Sequence, residues 1–364
     1  MPTYQYGIQA IRDALLRAGW LHNGVHFVVD GQFGSTGKGA LAAVIAAAGR
    51  TEFNLFTSNA GPNSGHTAYV DDLKVVTQQV PVGAAVLRRM TGVAPRVFLN
   101  AGAIINPTIL RREVDHFELG SRVWPVLVHP CAAVILQEHV DAEQHNGSSK
   151  VAGTAKGVGA ALADKINRAG NLYGKICDGD GVAHIKTGQW DFSADGYTAL
   201  YECSQGFSLG LNEPRFAPHT TSRECTTQQA ASDARIPLSK IRGVALSLRT
   251  FPIRVGNTSA GYSGDCYPDQ RELTWEEVGQ PPETTTVTGR VRRVFSWSWA
   301  QFDEAVTVNE PNVLFINFLN YLPLPQREPF LEQARERFFS LMGFYPEILV
   351  GLGPLMCDVA LWRP

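Results

Sequence analysis

An excess of charge of one sign is what this sequence most clearly lacks. Lys and Arg number 32 against 34 Asp and Glu, a formal net charge of -2 over 364 residues. No global basic field is available to displace counterions from a phosphate backbone, so broad nucleic-acid binding is not expected. Long hydrophobic runs are missing as well, and none approaches the roughly 20 apolar residues that span a bilayer. Before Gly19, the residues Arg12, Asp13 and Arg17 interrupt the apolar positions, which does not match the layout of a signal peptide. The expectation is a cytoplasmic protein with no membrane partner. The six cysteines, at 131, 177, 203, 225, 266 and 357, make no C-x-x-C pair and keep no regular spacing. That argues against a disulfide framework or a zinc site and leaves buried free thiols as the default.

The chain has material for a large core, with 44% hydrophobic and 18% charged residues. Residues 8–19 have helical periodicity, and Val25–Asp30 is a short β-branched run suited to a buried strand. Lys38–Gly49 is an alanine-rich helix closed by glycine. Further strand-like runs follow at Phe53–Thr57, Lys74–Gln78, Arg96–Leu99, Trp124–Val128, Ala133–Leu136, Gly243–Leu248 and Val313–Phe318. Helical patterns at Thr108–Phe117, Gly159–Ala169 and Glu328–Met342 alternate with some of them. The alternation predicts an α/β fold: a single large domain, residues 1–364, around a mainly parallel twisted central sheet. Asp141–Lys150, Gly256–Gln270 and Gly279–Gly289 are rich in turn formers and are expected as surface or active-site loops.

Between the first buried strand and its helix lies Gly31-Gln32-Phe33-Gly34-Ser35-Thr36-Gly37-Lys38-Gly39. Strand, glycine loop and helix in that order aim backbone N–H groups and a helix N-terminus at an anion. The loop is not a P-loop, because Gln32 stands where the first glycine belongs and Gly39 replaces the magnesium-binding hydroxyl. Taken alone it is also compatible with a glycine-rich turn carrying a surface lysine. A second turn-rich segment, Asn59-Ala60-Gly61-Pro62-Asn63-Ser64-Gly65-His66-Thr67, supplies amide, hydroxyl and imidazole groups suited to a polar ligand. Beside a phosphate loop, His66 becomes a candidate for stabilising charge on a transferring phosphoryl group.

Together these segments resemble the adenylosuccinate synthetase family, with its G-D-E-G-K-G-K and G-x-N-A-G-H-T loops. The resemblance continues in Thr154-Ala155-Lys156-Gly157-Val158-Gly159 with Asp164, Lys165 and Arg168, and in Glu202-Cys203-Ser204-Gln205-Gly206. His219-Thr220-Thr221-Ser222, Thr286-Val287-Thr288-Gly289-Arg290-Val291-Arg292-Arg293 and Gly351-Leu352-Gly353-Pro354 extend it to the end of the chain. The resemblance implies an enzyme that phosphorylates a purine O6 and lets the amine of L-aspartate displace the phosphate, with Mg2+ as cofactor.

It also implies roles by position. Ser35, Lys38, His66 and Gln205 would form the catalytic set. Ser35, Thr36, Gly37, Lys38, Gly39, Gly65, His66, Thr67, Arg292, Asn317, Asn320, Gly351, Gly353 and Pro354 would hold the nucleoside triphosphate. Ser35, Asn63, Thr154, Gln205, Thr220 and Arg290 would hold the purine monophosphate, joined by Arg168 from the other subunit of a homodimer. Thr286, Val287, Thr288 and Arg290 would grip L-aspartate, and Ser35 and the Gly65 carbonyl would ligate Mg2+.

Two departures carry information. The family's catalytic aspartate is Ser35 here. Serine is a weak base and a weaker metal ligand, so a silent homologue is one reading and an IMP-using enzyme with a substitute base is another. The third reading is a changed substrate: a 2-amino group beside purine N1 would lie near position 35, where serine takes less room than aspartate. A phage-encoded branch of the family carries this serine and acts on dGMP, which implies a ligase making 2-amino-2'-deoxyadenylosuccinate, a step toward 2-aminoadenine in DNA. The second departure is Asn317-Phe318-Leu319-Asn320, where GTP-using members have T-K-L-D. Without the carboxylate the charge-assisted contact to guanine is lost, and ATP or dATP becomes the expected donor. Asn320 is equally readable as the end of a strand.

Overall fold

A computed structural model describes residues 3–145, 151–177, 184–259, 261–285 and 289–364. One sheet of eleven strands organises them. Its centre is Gly24–Asp30, buried along its whole length and flanked by Thr198–Glu202 on one side and Ile241–Arg249 on the other. Beyond Thr198–Glu202 come Leu55–Ser58, Arg96–Leu99, Val126–Val128 and Ile185–Thr187. Beyond Ile241–Arg249 come Val313–Asn317, Glu347–Gly351, Val359–Arg363 and Thr3–Tyr6. Neighbouring pairs are parallel from Ile185–Thr187 through to Glu347–Gly351. The last strand, Val359–Arg363, runs antiparallel between Glu347–Gly351 and Thr3–Tyr6.

Alternate residues of each strand serve opposite layers, as the pleat requires. Val28, Phe56, Leu200, Ala245 and Phe315 pack with Ile11 and Leu15, with the alanine-rich helix Lys38–Ala48 and with the helix Val82–Thr91. Phe27, Val29, Tyr201, Leu246 and Ile316 face the other way. They meet Ala230, Phe302 and Ala305, together with Leu331, Ala334 and Phe338 of the helix Leu324–Met342. Helices therefore cover both faces of a mainly parallel sheet, as the α/β alternation predicted.

Several local expectations need correction. Lys74–Gln78 pairs only with His66–Val70, in a two-stranded hairpin outside the central sheet. Ala133–Leu136 reduces to Ala133–Val134, paired with Ile104–Ile105. Short apolar runs signal extended backbone, but the sheet a strand joins is decided by distant partners. The loop expected over 141–150 begins inside a helix, Gln137–His145, and its remainder lies outside the described residues. Three cysteines are buried, whereas Cys131 and Cys357 are exposed; all six are free. Among the described residues no helix is long and apolar enough to cross a membrane.

Candidate active-site cleft

The parallel strands deliver the ends of Gly24–Asp30, Thr198–Glu202, Ile241–Arg249 and Val313–Asn317 to one edge of the sheet. Ligands of open α/β sheets bind outside such carboxyl ends, where the connections part to either side. Here the edge opens into a cleft of about 720 Å³.

Asp30, the last residue of the central strand, builds the glycine loop. Its side chain is buried. Oδ1 accepts from the amides of Gln32 (2.9 Å) and Gly34 (3.1 Å), and Oδ2 from the Thr36 hydroxyl (2.6 Å) and Lys38 Nζ (3.0 Å). Lys38 Nζ also donates to the Gln205 carbonyl at 2.7 Å. A buried charge is tolerable only when paired and hydrogen-bonded, and this pair satisfies both conditions while bending the loop round itself. Gly37 sits at φ 96° as the N-cap of the helix Lys38–Ala48, with no side chain capping the helix. The helix N-terminus therefore faces the cleft with amides available to an anion. A Cβ on Gly39 would collide with the backbone of Thr67, so glycine is what lets the helix approach the hairpin that starts at His66.

His66 opens that hairpin, with Nδ1 3.4 Å from Glu202 Oε2. Glu202 is buried and accepts from the amides of Val82 (2.9 Å) and Gly83 (2.7 Å) at the start of their helix. Its carboxylate fixes both the helix and the imidazole. Gln205, at φ 66°, donates through Nε2 to Asn63 Oδ1 at 2.9 Å.

The far wall is an arm, described at residues 283–285 and 289–292, whose two sides are joined by a bridge between Thr284 and Val291. Arg292 Nη1 donates to the Ser35 hydroxyl, and Arg292 Nε donates to the Thr284 carbonyl at 3.1 Å. Burial pulls the Arg292 guanidinium down to about 10, Glu283 acting against that shift and Arg249 with it. Arginine keeps its proton in proteins, so this cation is short of water and receptive to an anion. Glu283 is pushed up by burial but ends below its ordinary value, because Arg249 sits against it.

The cleft gathers most of the expected residues. Ser35, Gly37, Lys38, Gly39, Asn63, Gly65, His66, Thr67, Thr154, Gln205, Thr220, Arg292, Asn317, Asn320, Gly353 and Pro354 all line it. Thr36 does not: it is fully buried with its hydroxyl on Asp30. Gly351 ends its strand behind Asn317, and a Cβ there or on Gly37 would collide with the Asn317 amide. That amide is engaged locally, Nδ2 donating to the Thr36 carbonyl (3.1 Å) and Oδ1 accepting from Phe318 N (2.8 Å). Asn320 is exposed, in a short turn of 3-10 helix after the strand. Arg290 reaches the carbonyls of Gly256, Ala152 and Gly153 and does not line the cleft. Arg168 is exposed on the turn after the helix Val158–Ile166, away from the cleft. Thr286, Val287 and Thr288 lie outside the described residues.

Sequence reasoning missed Asp30, Glu202, Arg249 and Glu283. Asp30 and Glu202 had a signal, a carboxylate ending an otherwise apolar strand. The Arg249–Glu283 pair had none, since its members are 34 residues apart.

Residues 27–191 match the family model described as adenylosuccinate synthetase. A curated N6-succino-2-amino-2'-deoxyadenylate synthase of Vibrio phage phiVC8 is 35% identical over 93% of this chain and 98% of its own length. Among solved structures, the succinoaminodeoxyadenylate synthetase (PurZ) of cyanophage S-2L, bound to dGMP and to dATP as an energy donor, superposes with a TM-score of 0.80. It shares 30% identity over 93% of this chain and 95% of that one. Adenylosuccinate synthetase from Plasmodium falciparum has a TM-score of 0.71 at 16% identity, over 93% of this chain and 99% of that one, a likeness of fold.

Proposed function

The chain belongs to the adenylosuccinate synthetase family, and on that premise we propose that it is a ligase condensing dGMP with L-aspartate at the expense of ATP or dATP. The observation that carries this reading is Ser35 at the mouth of an otherwise complete anion cradle, in a chain whose phage relatives are named for this product. A purine oxygen is a poor leaving group. In the proposed reaction O6 of dGMP attacks the γ-phosphoryl group, and the nucleoside diphosphate departs. The amine of aspartate then adds at C6 and expels phosphate, giving 2-amino-2'-deoxyadenylosuccinate.

Lys38 and the amides from Gly37 onward would neutralise the triphosphate, a reading supported by Gly37, Lys38, Gly39 and Ala40 all lining the cleft. His66, oriented by Glu202, would stabilise the phosphoryl group in flight. Asn63, Thr154, Gln205 and Thr220 would hold dGMP, and Arg168 of a second subunit would reach its phosphate; an exposed Arg168 outside the cleft is compatible with that. Thr286, Val287, Thr288 and Arg290 would hold aspartate. Asn320 is the better of the two amides for reading the triphosphate's base, since Asn317 is committed to the loop.

The family uses Mg2+ in general, and bound metal would supply Lewis-acid stabilisation of phosphoryl transfer. The donor set suits an ion held mainly by phosphate oxygens and water. Gly65 offers a carbonyl in the cleft wall, whereas both Asp30 oxygens are taken and the Ser35 hydroxyl is occupied by Arg292. Ser35 could join a metal only once Arg292 turns to the triphosphate.

The test is phosphate release and product mass from purified protein with aspartate, dATP or ATP, and either dGMP or IMP. Turnover of dGMP is expected. Turnover of IMP but not dGMP would return the chain to the ordinary reaction of its family.

A further inference from the structure

The turn-rich segment 256–270 is anchored to a cation that the proposed reaction does not use. Arg254 ends the strand Ile253–Arg254 and lines the cleft, yet it is 3% exposed. Its guanidinium donates to three backbone carbonyls: Nε to Ser263 (2.8 Å), Nη1 to Asp265 (3.1 Å) and Nη2 to His219 (2.8 Å). The ring centres of Phe33 and Phe216 lie 4.6 and 5.2 Å from its central carbon. A Cβ on Gly264, which has φ +100°, would collide with Nη2 and with His219, so glycine lets the segment close over the fork. Among the described residues Arg254 makes no ion pair. Burial pulls its guanidinium down to about 10, Arg293 adding to the shift and Tyr262 opposing it. Carbonyls and ring faces offset only part of the cost of burying a charge, so positive potential is left at this wall of the cleft.

The bond to His219 bears on the site. That carbonyl belongs to the same peptide unit as the Thr220 amide, and in a planar trans unit C=O and N–H point in opposite directions. Fixing the carbonyl on Arg254 therefore turns the Thr220 N–H away from the guanidinium. Thr220 lines the cleft, and among the described residues neither its amide nor its hydroxyl has a partner. The amides on either side are committed, His219 N to the Phe216 carbonyl at 2.6 Å and Thr221 N to the Leu209 carbonyl at 2.7 Å. A cation on the carbonyl also polarises the peptide and strengthens its N–H as a donor.

We propose that Arg254 is a positioning residue for the phosphate of dGMP, setting the Thr220 amide and hydroxyl toward it and backing them with positive charge. The inference rests on the functional reading above, which gives Thr220 to the monophosphate. None of the hydrogen bonds of Arg254 goes to the glycine loop, so the triphosphate is not expected to depend on it.

The test is the KM for dGMP and for dATP, measured by phosphate release with the other substrates saturating. Arg254→Lys keeps the charge but cannot span three carbonyls. Its KM for dGMP should rise about tenfold, the weight of one hydrogen bond to a charged group. Its KM for dATP should stay within about twofold of native and its kcat within about threefold. Arg254→Met, which also loses the charge, should raise the KM for dGMP further. A residue that only supports the fold would lower the melting temperature and leave the ratio of the two KM values native in both variants, which overturns the proposal. So would a native KM for dGMP in Arg254→Lys. Should the Arg254 variants fail to fold, Gly264→Ala decides, because its methyl displaces the fork while the arginine stays. The same selective rise is expected there, and a native ratio would overturn the proposal. Absence of phosphate release by the native protein, with dGMP or with IMP, would instead overturn the functional reading on which the proposal stands.

Discussion

On one side of the cleft the glycine loop is folded round a buried carboxylate that accepts from two amides, a hydroxyl and an ammonium. On the other side, among the described residues of the arm, Glu283 pairs with the buried Arg249, Thr284 bridges Val291, and Arg290 donates to the carbonyls of Gly256, Ala152 and Gly153. Val291 on the arm is 53% exposed, whereas Gln32, Thr36 and Lys38 of the loop are buried. Triphosphate oxygens come in nearly fixed geometry, so their donors can be set during folding, and the ordering cost is met before the ligand arrives. In the proposed reading the arm admits a second substrate beside the first, and its described residues are held by separate contacts at either end rather than round one buried charge. The cleft is a buried cradle faced by a more exposed jaw.

That contrast can be broken by mutation. The largest effect is expected from Lys38→Ala, which removes the cation proposed to meet the phosphates and leaves Asp30 short of a partner. Turnover should fall roughly 10²–10³-fold, about 3–4 kcal/mol, as when one transition-state donor is lost. Native phosphate release by this variant would remove the loop from the chemistry. Next comes Gly39→Ala, whose new methyl would collide with the Thr67 backbone. Overpacking of this kind costs about 1–3 kcal/mol, read as a loss of denaturant midpoint, and the cradle should show it in full.

Ser35→Asp acts where cradle and jaw touch. It should lower kcat/KM for dGMP about tenfold, close to 1.4 kcal/mol, by crowding the 2-amino group. Unchanged kinetics would mean that the 2-amino group sits elsewhere. The smallest effect is expected for Gly289→Ala on the arm, where φ is +67° but nothing lies within 4 Å of the added carbon. A left-handed backbone alone costs about 1 kcal/mol. If Gly289→Ala were as damaging to stability as Gly39→Ala, the arm would be as tightly built as the loop, and the comparison would fail.

The sequence made the glycine loop legible because its glycines, lysine and strand-to-helix setting are local. It could not show what the loop is built on. Asp30 matters because four donors converge on it, one of them eight residues away on the following helix. Thr198–Glu202, next to the central strand, escaped notice because its five residues, TALYE, stand out little from their surroundings. Its position depends on pairing with Gly24–Asp30 and Leu55–Ser58, far away in the chain. Asn317 and Asn320 read alike as amides, and only burial separates a bracket from a free group. The family resemblance named residues that the fold gathers largely in one cleft, whereas the contacts joining Ser35, Arg249, Glu283 and Arg292 are a product of folding with no sequence spacing to betray them.

The edge pairing of Thr3–Tyr6 with Val359–Arg363 has a consequence for how the molecule is made. The first of these strands in chain order finds its partner in the last, so that edge of the sheet stays open until both have been made. A contact spanning nearly the whole chain is also slow to close. The nascent chain must wait with an unpaired strand end in water, and TYQY, mostly exposed and polar, is a sequence that can wait without sticking.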